Sequence, residues 1–165
     1  MTYQSVLASG LLLILIQQIQ VIKTATADSF VWLVDLRIEI MAEQKKKILI
    51  ADDEESIRFT FHCFLSEAGY EVETAHSLSN CISKMQSETF DLLFLDVMLG
   101  IDNGIEAIER LKVLQPDCQI VVITGNPHLD ALVKAKSRGA LDYLAKPIRK
   151  ASLMYHVQNV LGPAV

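Results

Sequence analysis

Along residues 47–161 a short apolar run, a polar break and a stretch with helically spaced apolar residues follow one another repeatedly. The sharpest run lies in residues 90–104, FDLLFLDVMLGIDNG, which is almost wholly apolar until it stops on Asp96. Such a run, bounded by loop residues, predicts a strand buried on both faces, as in a parallel sheet with helices on either side. Open parallel sheets bind their ligands beyond the carboxyl ends of the strands, so Asp96 is predicted to stand where chemistry occurs.

The remaining elements follow from the same patterns. Residues 48–51 predict a short buried strand that ends on Asp52 and Asp53. A helix over 56–68 carries Ile57, Phe61, Phe64 and Leu65 at helical spacing and stops at Gly69. YEVETA, 70–75, alternates like an edge or half-exposed strand, and Ser77 can cap a helix to about residue 86 that turns Leu78, Ile82 and Met85 inward. After Asp96, a helix over 105–114 presents Ile105, Ile108, Leu111 and Leu114, with Pro116 past its end. QIVVIT, 119–124, is a fourth strand, and Gly125-Asn126-Pro127 turns into a helix ending near Arg138 and Gly139. A fifth strand over 141–144 leads through Lys146-Pro147 to a last helix over 150–161. Five strands alternating with five helices predict a doubly wound α/β sheet with right-handed crossovers.

Residues 1–40 do not share this pattern. The apolar stretch 6–16 is interrupted by Gln17, Gln18 and Gln20, short of the ~20 residues that span a bilayer. No Lys or Arg precedes Lys23, so the positive start of a secretory signal is missing. Three readings stand: a weak membrane anchor, which Lys23 would orient with the rest of the chain in the cytoplasm; an amphipathic accessory segment; or an extension from an upstream start. The last is favoured by Met41, which opens MAEQKKKILIADDEE just before the first strand. The chain is therefore divided into an atypical extension, 1–40, and one domain, 41–165.

A net charge of −5 and the lack of any basic cluster beyond Lys45-Lys46-Lys47 argue against direct nucleic-acid binding. Cys63, Cys81 and Cys118 are odd in number, widely spaced and set among apolar neighbours. They are expected to be reduced core or near-core thiols of a cytoplasmic protein, with no metal-ligand spacing.

Four of the five predicted strands deliver a polar residue to the same edge: Asp52 and Asp53, Asp96, Thr124, and Lys146 just past the fifth. An acid after a strand is commonly a helix cap, and Thr124 alone could merely end a strand; the convergence is what carries meaning. Three carboxylates in one crevice raise each other's pKa unless a cation is present. Hard oxygen ligands without His or Cys suit Mg²⁺ or Mn²⁺ rather than zinc. A divalent ion points to phosphate chemistry, with Lys146 as a second positive charge and Thr124 as a hydroxyl donor. Asp96, at the centre, is the natural nucleophile and would form an aspartyl phosphate.

The ordered set IADDEE, FLDVML with Gly104, VVIT and DYLAKP resembles the CheY-like receiver domain of two-component response regulators over about residues 47–161. The resemblance implies a flavodoxin-like strand order 2-1-3-4-5. It implies that Asp96 accepts a phosphoryl group from a histidine kinase or phosphotransfer protein. It further implies that Asp53, Asp96 and the Met98 backbone carbonyl ligate Mg²⁺, with Asp52 acting through water. Thr124 and Lys146 would contact the phosphoryl group, Tyr143 would turn inward on activation, and Lys146-Pro147 would be cis. Taken without the resemblance, Tyr143 reads as a half-exposed edge-strand aromatic. One departure stands out: the family's usual Pro four residues after the acceptor is Gly100 here, which is expected to loosen the loop. Met98 and Asn126 occupy the positions that tune phosphoryl lifetime in the family, and an apolar Met98 predicts slow self-dephosphorylation.

After the last helix, at 161–165, no room for an output domain is expected, so the output is expected to be a protein contact on the face of the fourth helix, fifth strand and fifth helix. The expected protein is a stand-alone response regulator or phosphorelay intermediate, or a receiver detached from a transcription regulator or hybrid kinase, that performs only its own phosphorylation and dephosphorylation. Membrane association is expected only through residues 1–40. Three rivals fit less well. A haloacid-dehalogenase-type phosphatase needs two acids one residue apart on the nucleophile loop, whereas Val97 and Met98 follow Asp96. A flavodoxin-like cofactor binder needs a phosphate loop where this chain has Asp52-Asp53-Glu54-Glu55. A pseudo-receiver that binds without phosphorylation has no physical need for the clustered charges.

Overall fold

The computed structural model describes residues 45–162, and the readings made for residues 1–40 fall outside them. The elements are β1 (Lys47–Ala51), α1 (Glu55–Glu67), β2 (Glu71–Ala75), α2 (Leu78–Ser87), β3 (Leu92–Asp96), α3 (Gly104–Leu114), β4 (Gln119–Thr124), α4 (Leu129–Ser137), β5 (Asp142–Ala145) and α5 (Lys150–Leu161). All five strands pair in parallel, in the order β2-β1-β3-β4-β5. The doubly wound sheet is therefore the one predicted, with β2 at one edge.

The apolar run of β3 is the spine because its side chains alternate between two cores. Leu93 and Leu95 join Leu49, Ile82, Met85, Ile105, Ile108, Leu111 and Val122 beneath α2 and α3. Leu92 and Phe94 join Ile48, Ile50, Phe61, Leu65, Leu144, Leu153 and Val157 beneath α1 and α5. Every residue of β3 is buried, which is why the sequence shows no polar alternation there. Each such leucine contributes about 2 kcal/mol of burial free energy.

Local chemistry sets the helix starts. Ser77 Oγ accepts the Asn80 amide at 3.2 Å to cap α2, as predicted, and Asn103 Oδ1 accepts the Ile105 amide at 3.0 Å to cap α3. In contrast, α4 buries only Ala135 and leaves Leu129 and Val133 exposed. It is tied to α3 by Glu106, which pairs with Lys134 and with Arg138 at 2.7 Å.

The structure corrects several details. Boundaries move by one residue at β1, α1, β2, α3 and β5, because periodicity fixes an element's phase better than its ends. Cys63 is exposed on the outer side of α1, whereas Cys81 and Cys118 are in the core as expected. Burial pushes both core thiols up to about 12, so neither is a nucleophile at neutral pH. The loop after Asp96 is a small hairpin: Met98–Leu99 pairs antiparallel with Asp102–Asn103 around Gly100 and Ile101. Gly100 has φ +67° and Ile101 does not have positive φ. A positive φ at the first position of a two-residue turn favours glycine, and proline, fixed near −65°, cannot adopt it. The glycine read from sequence as a loosening of the loop is thus the residue that lets the hairpin close.

Candidate phosphoacceptor site

Sheet register assembles the site. Ala51 lies opposite Leu95, so Asp52, the next residue of the first chain segment, comes out beside Asp96. Asp96 in turn lies opposite Ile123, one residue before Thr124, and Thr124 lies opposite Ala145, one residue before Lys146. Adjacent strands are about 4.8 Å apart, close enough for these side chains to meet. Among the described residues the buried polar or charged ones are Asp52, Asp96 and Thr124, all at this one edge.

Lys146 is the hub. Its Nζ lies 2.6 Å from Asp96 Oδ2, 3.0 Å from Asp52 Oδ2 and 2.9 Å from Glu54 Oε1. Its backbone amide donates to the Thr124 carbonyl at 2.8 Å, and the Lys146-Pro147 bond is cis, as the resemblance implied. Burial alone would lower the pKa of Lys146, but its contacts with Asp96, Glu54 and Asp52 reverse that and hold the ammonium above its ordinary range. The other oxygen of Asp96, Oδ1, accepts the Met98 amide at 3.0 Å, which fixes the carboxylate's orientation.

Asp52 is fully buried, and its Oδ1 accepts the Glu54 amide at 2.9 Å. Desolvation pushes its carboxyl up to about 6, with Asp96 adding to the rise and the Glu54 amide and Lys146 opposing it. Oδ2 is buried with no aligned hydrogen-bond donor, although the Lys146 ammonium is 3.0 Å away. A buried carboxylate oxygen left this way is a natural ligand for a cation. Carboxylate oxygens of Asp52, Glu54 and Asp96 all lie within 4.8 Å of one another. An all-oxygen set without His or Cys fits Mg²⁺ or Mn²⁺.

The other predicted residues are placed as follows. Asp53 is exposed on the same loop and is not in that close cluster; Glu54 is. Thr124 Oγ1 accepts the Asn126 amide at 3.1 Å, which leaves the hydroxyl proton to donate elsewhere. The Met98 side chain points to solvent, 65% exposed, and Tyr143 on β5 is also exposed. Gly104 approaches the acceptor so closely that a Cβ there would lie 2.1 Å from the Asp96 carbonyl oxygen. Sequence reasoning overlooked Glu54 and Arg58. Glu54 was visible in IADDEE as a third acid in the loop, and Arg58 as a cation four residues on, one helical turn away.

Residues 48–158 match the response regulator receiver domain family. The alginate biosynthesis transcriptional regulatory protein AlgB of Pseudomonas syringae pv. tomato is 39% identical over 110 residues, 67% of this chain and 25% of that protein. The transcriptional regulator NtrC of Azospirillum brasilense is 35% identical over 115 residues, 70% of this chain and 24% of its own length. The chain thus spans about a quarter of the length of these curated relatives. Among solved structures, the chemotaxis protein CheY4 of Vibrio cholerae superposes with a TM-score of 0.69 at 30% identity, covering 72% of this chain and all 100% of that one. A Burkholderia pseudomallei response regulator solved with a phosphorylated aspartic acid, calcium ion and citrate gives a TM-score of 0.64 at 35% identity over 67% of this chain and 65% of its own. With this sheet, this acidic edge and these matches, the chain belongs to the response regulator receiver domain family.

Proposed function

We propose that the domain is a phosphorylation switch in which Asp96 is the acceptor. The observation that carries this reading is the 2.6 Å contact between the Lys146 ammonium and Asp96 Oδ2 within a buried acidic edge. An Asp96 carboxylate oxygen attacks the phosphorus of a phosphohistidine on a histidine kinase or phosphotransfer protein. The P–N bond breaks, the imidazole leaves with a proton from solvent, and Asp96 becomes an acyl phosphate. Lys146 stays beside the new phosphoryl oxygens as a point charge, and the Thr124 hydroxyl donates to one of them. Asp52, Asp53, Asp96 and the Met98 carbonyl would hold Mg²⁺, with Glu54 clustered beside Asp52 and Asp96 as a further oxygen donor, and the ion when bound would neutralise charge on the transferring group. The reaction is stoichiometric: the domain phosphorylates and dephosphorylates itself and turns over no other substrate.

Phosphorylation biases a two-state equilibrium of the face formed by α4, β5 and α5. That face carries Tyr143 and the exposed Leu129, Val133 and Tyr155, and α4 is its least buried helix, which supports a protein target there. The curated relatives are transcriptional regulators of which the matched segment makes up about a quarter, which favours a second form of the reading: the same switch as one part of a transcription regulator. Among the described residues no helix is long and apolar enough to cross a membrane.

Intact mass after incubation with Mg²⁺ and acetyl phosphate tests the reading. One phosphoryl adduct is expected, absent in Asp96→Asn and in chelator. A folded wild-type protein that takes no adduct would instead be a pseudo-receiver that works by contact alone.

A further inference from the structure

β1 pairs with β2 up to Ala51 and Ala75, and the Asp52 amide still donates to the Ala75 carbonyl at 3.1 Å. Past that point the chain leaves the sheet, and the carbonyls of Asp52 and Asp53 lose their strand partners. Both are taken up by a single group: Arg58 Nη1 donates to the Asp52 carbonyl at 2.8 Å and to the Asp53 carbonyl at 2.8 Å. Arg58 stands on the first turn of α1, where its own amide donates to the Glu54 carbonyl at 3.2 Å. Although the acids Asp52, Asp53, Glu54 and Glu55 are all nearby in sequence, Arg58 makes no ion pair among the described residues. Its guanidinium is used on backbone oxygens.

We infer that Arg58 is a positioning residue for the metal: it clamps the peptide planes on either side of Asp53 and so fixes where the Asp52 and Asp53 carboxylates start. This inference rests on the phosphoacceptor reading and adds a residue to it. Two consecutive carbonyls held by one rigid, half-buried cation cannot rotate independently, and the Cα atoms they flank carry two of the proposed ligands. The same positive charge also offsets repulsion between acids that are otherwise crowded at the end of β1. Groups that orient metal ligands from behind typically change metal affinity by about 10- to 100-fold.

The test is a Mn²⁺ titration of the full chain, read by the loss of free-ion EPR signal, on wild type, Arg58→Lys and Arg58→Met. Wild type is expected to bind. Arg58→Met should bind about 10-fold more weakly or worse, and Arg58→Lys, which keeps a cationic donor, should recover most of the loss. The Mn²⁺ concentration that half-saturates phosphorylation by acetyl phosphate should rise in Arg58→Met by the same factor as the EPR affinity falls, because the clamp acts through the metal ligands; an unchanged half-saturation point contradicts it. Unchanged Mn²⁺ affinity in Arg58→Met overturns the inference. So does equal weakening in both variants with a lowered melting temperature, which marks general damage to α1. If wild type itself binds no Mn²⁺, the metal-dependent reading fails first, and the inference with it.

Discussion

The ammonium of Lys146 lies 2.6 Å from Oδ2 of Asp96, so the cation that would face the phosphoryl group already contacts the acceptor. It holds together Asp52, Asp96 and Glu54, two of which are buried. Removing one partner from a buried charge set leaves the others uncompensated, which costs about 3 kcal/mol. Lys146→Ala is therefore expected to unfold at lower denaturant in the presence of chelator. Added Mg²⁺ should raise its midpoint more than that of wild type, since the ion then replaces the missing charge. Equal Mg²⁺ shifts in the two proteins would contradict this role for Lys146.

Asp52 gives a pH dependence of unusual sign. Most native carboxylates have lowered pKa values and lose stability in acid, but burial pushes this one up from 3.8 to about 6. Between those two values the folded protein holds the proton more tightly than the unfolded chain does. Its contribution therefore favours folding below about pH 4 and is lost as pH rises through 6. Melting curves in chelator at pH 7 and pH 5, for wild type and Asp52→Asn, read what this carboxyl contributes, its contacts with its charged neighbours included. Wild type should gain on the variant at pH 5. A gap that does not change with pH would contradict the assignment.

Gly104 is a steric requirement of the acceptor. A methyl group placed 2.1 Å from the Asp96 carbonyl oxygen forces backbone to move, not a flexible side chain. Gly104→Ala should lose about 2 kcal/mol or more. It should also slow phosphorylation by acetyl phosphate, since the displaced atoms belong to the acceptor itself. Gly125, also beside the site, has nothing within 4 Å of an added Cβ, so Gly125→Ala is the control and should remain close to wild type in both assays.

Met98 bears on the lifetime of the phosphorylated state. It follows the acceptor by two residues and holds its Oδ1 through the backbone, while its apolar side chain stands exposed at the mouth of the site. An apolar group there gives attacking water no hydrogen-bond partner. Slow self-dephosphorylation is expected, and Met98→Asn should shorten the half-life several-fold in a phosphate-release assay. A wild-type half-life of only seconds would contradict it.

Much of this was legible in the sequence because two strong signals coincide. The unbroken burial of Leu92 to Leu95 forces a central parallel strand, and the acid at its end marks the functional edge. Asp52, Thr124 and Lys146 were found by the same rule, each at or just past the end of a strand. Glu54 and Arg58 were missed because their roles depend on how the loop folds back over the sheet edge, which no periodicity encodes. The hairpin at Gly100 was missed for a related reason: a glycine announces freedom in φ, and only the pairing of Met98–Leu99 with Asp102–Asn103 shows what the freedom is used for.

Identifying the modified residue is the most direct measurement of the central proposal. Borohydride reduces an acyl phosphate to an alcohol, so trapping after acetyl phosphate treatment converts a phosphorylated aspartate to homoserine, which peptide mass spectrometry locates. Homoserine at position 96, dependent on Mg²⁺, is the predicted result. Homoserine at position 52 or 53, or none in protein that carries a phosphoryl adduct, would contradict Asp96 as the acceptor.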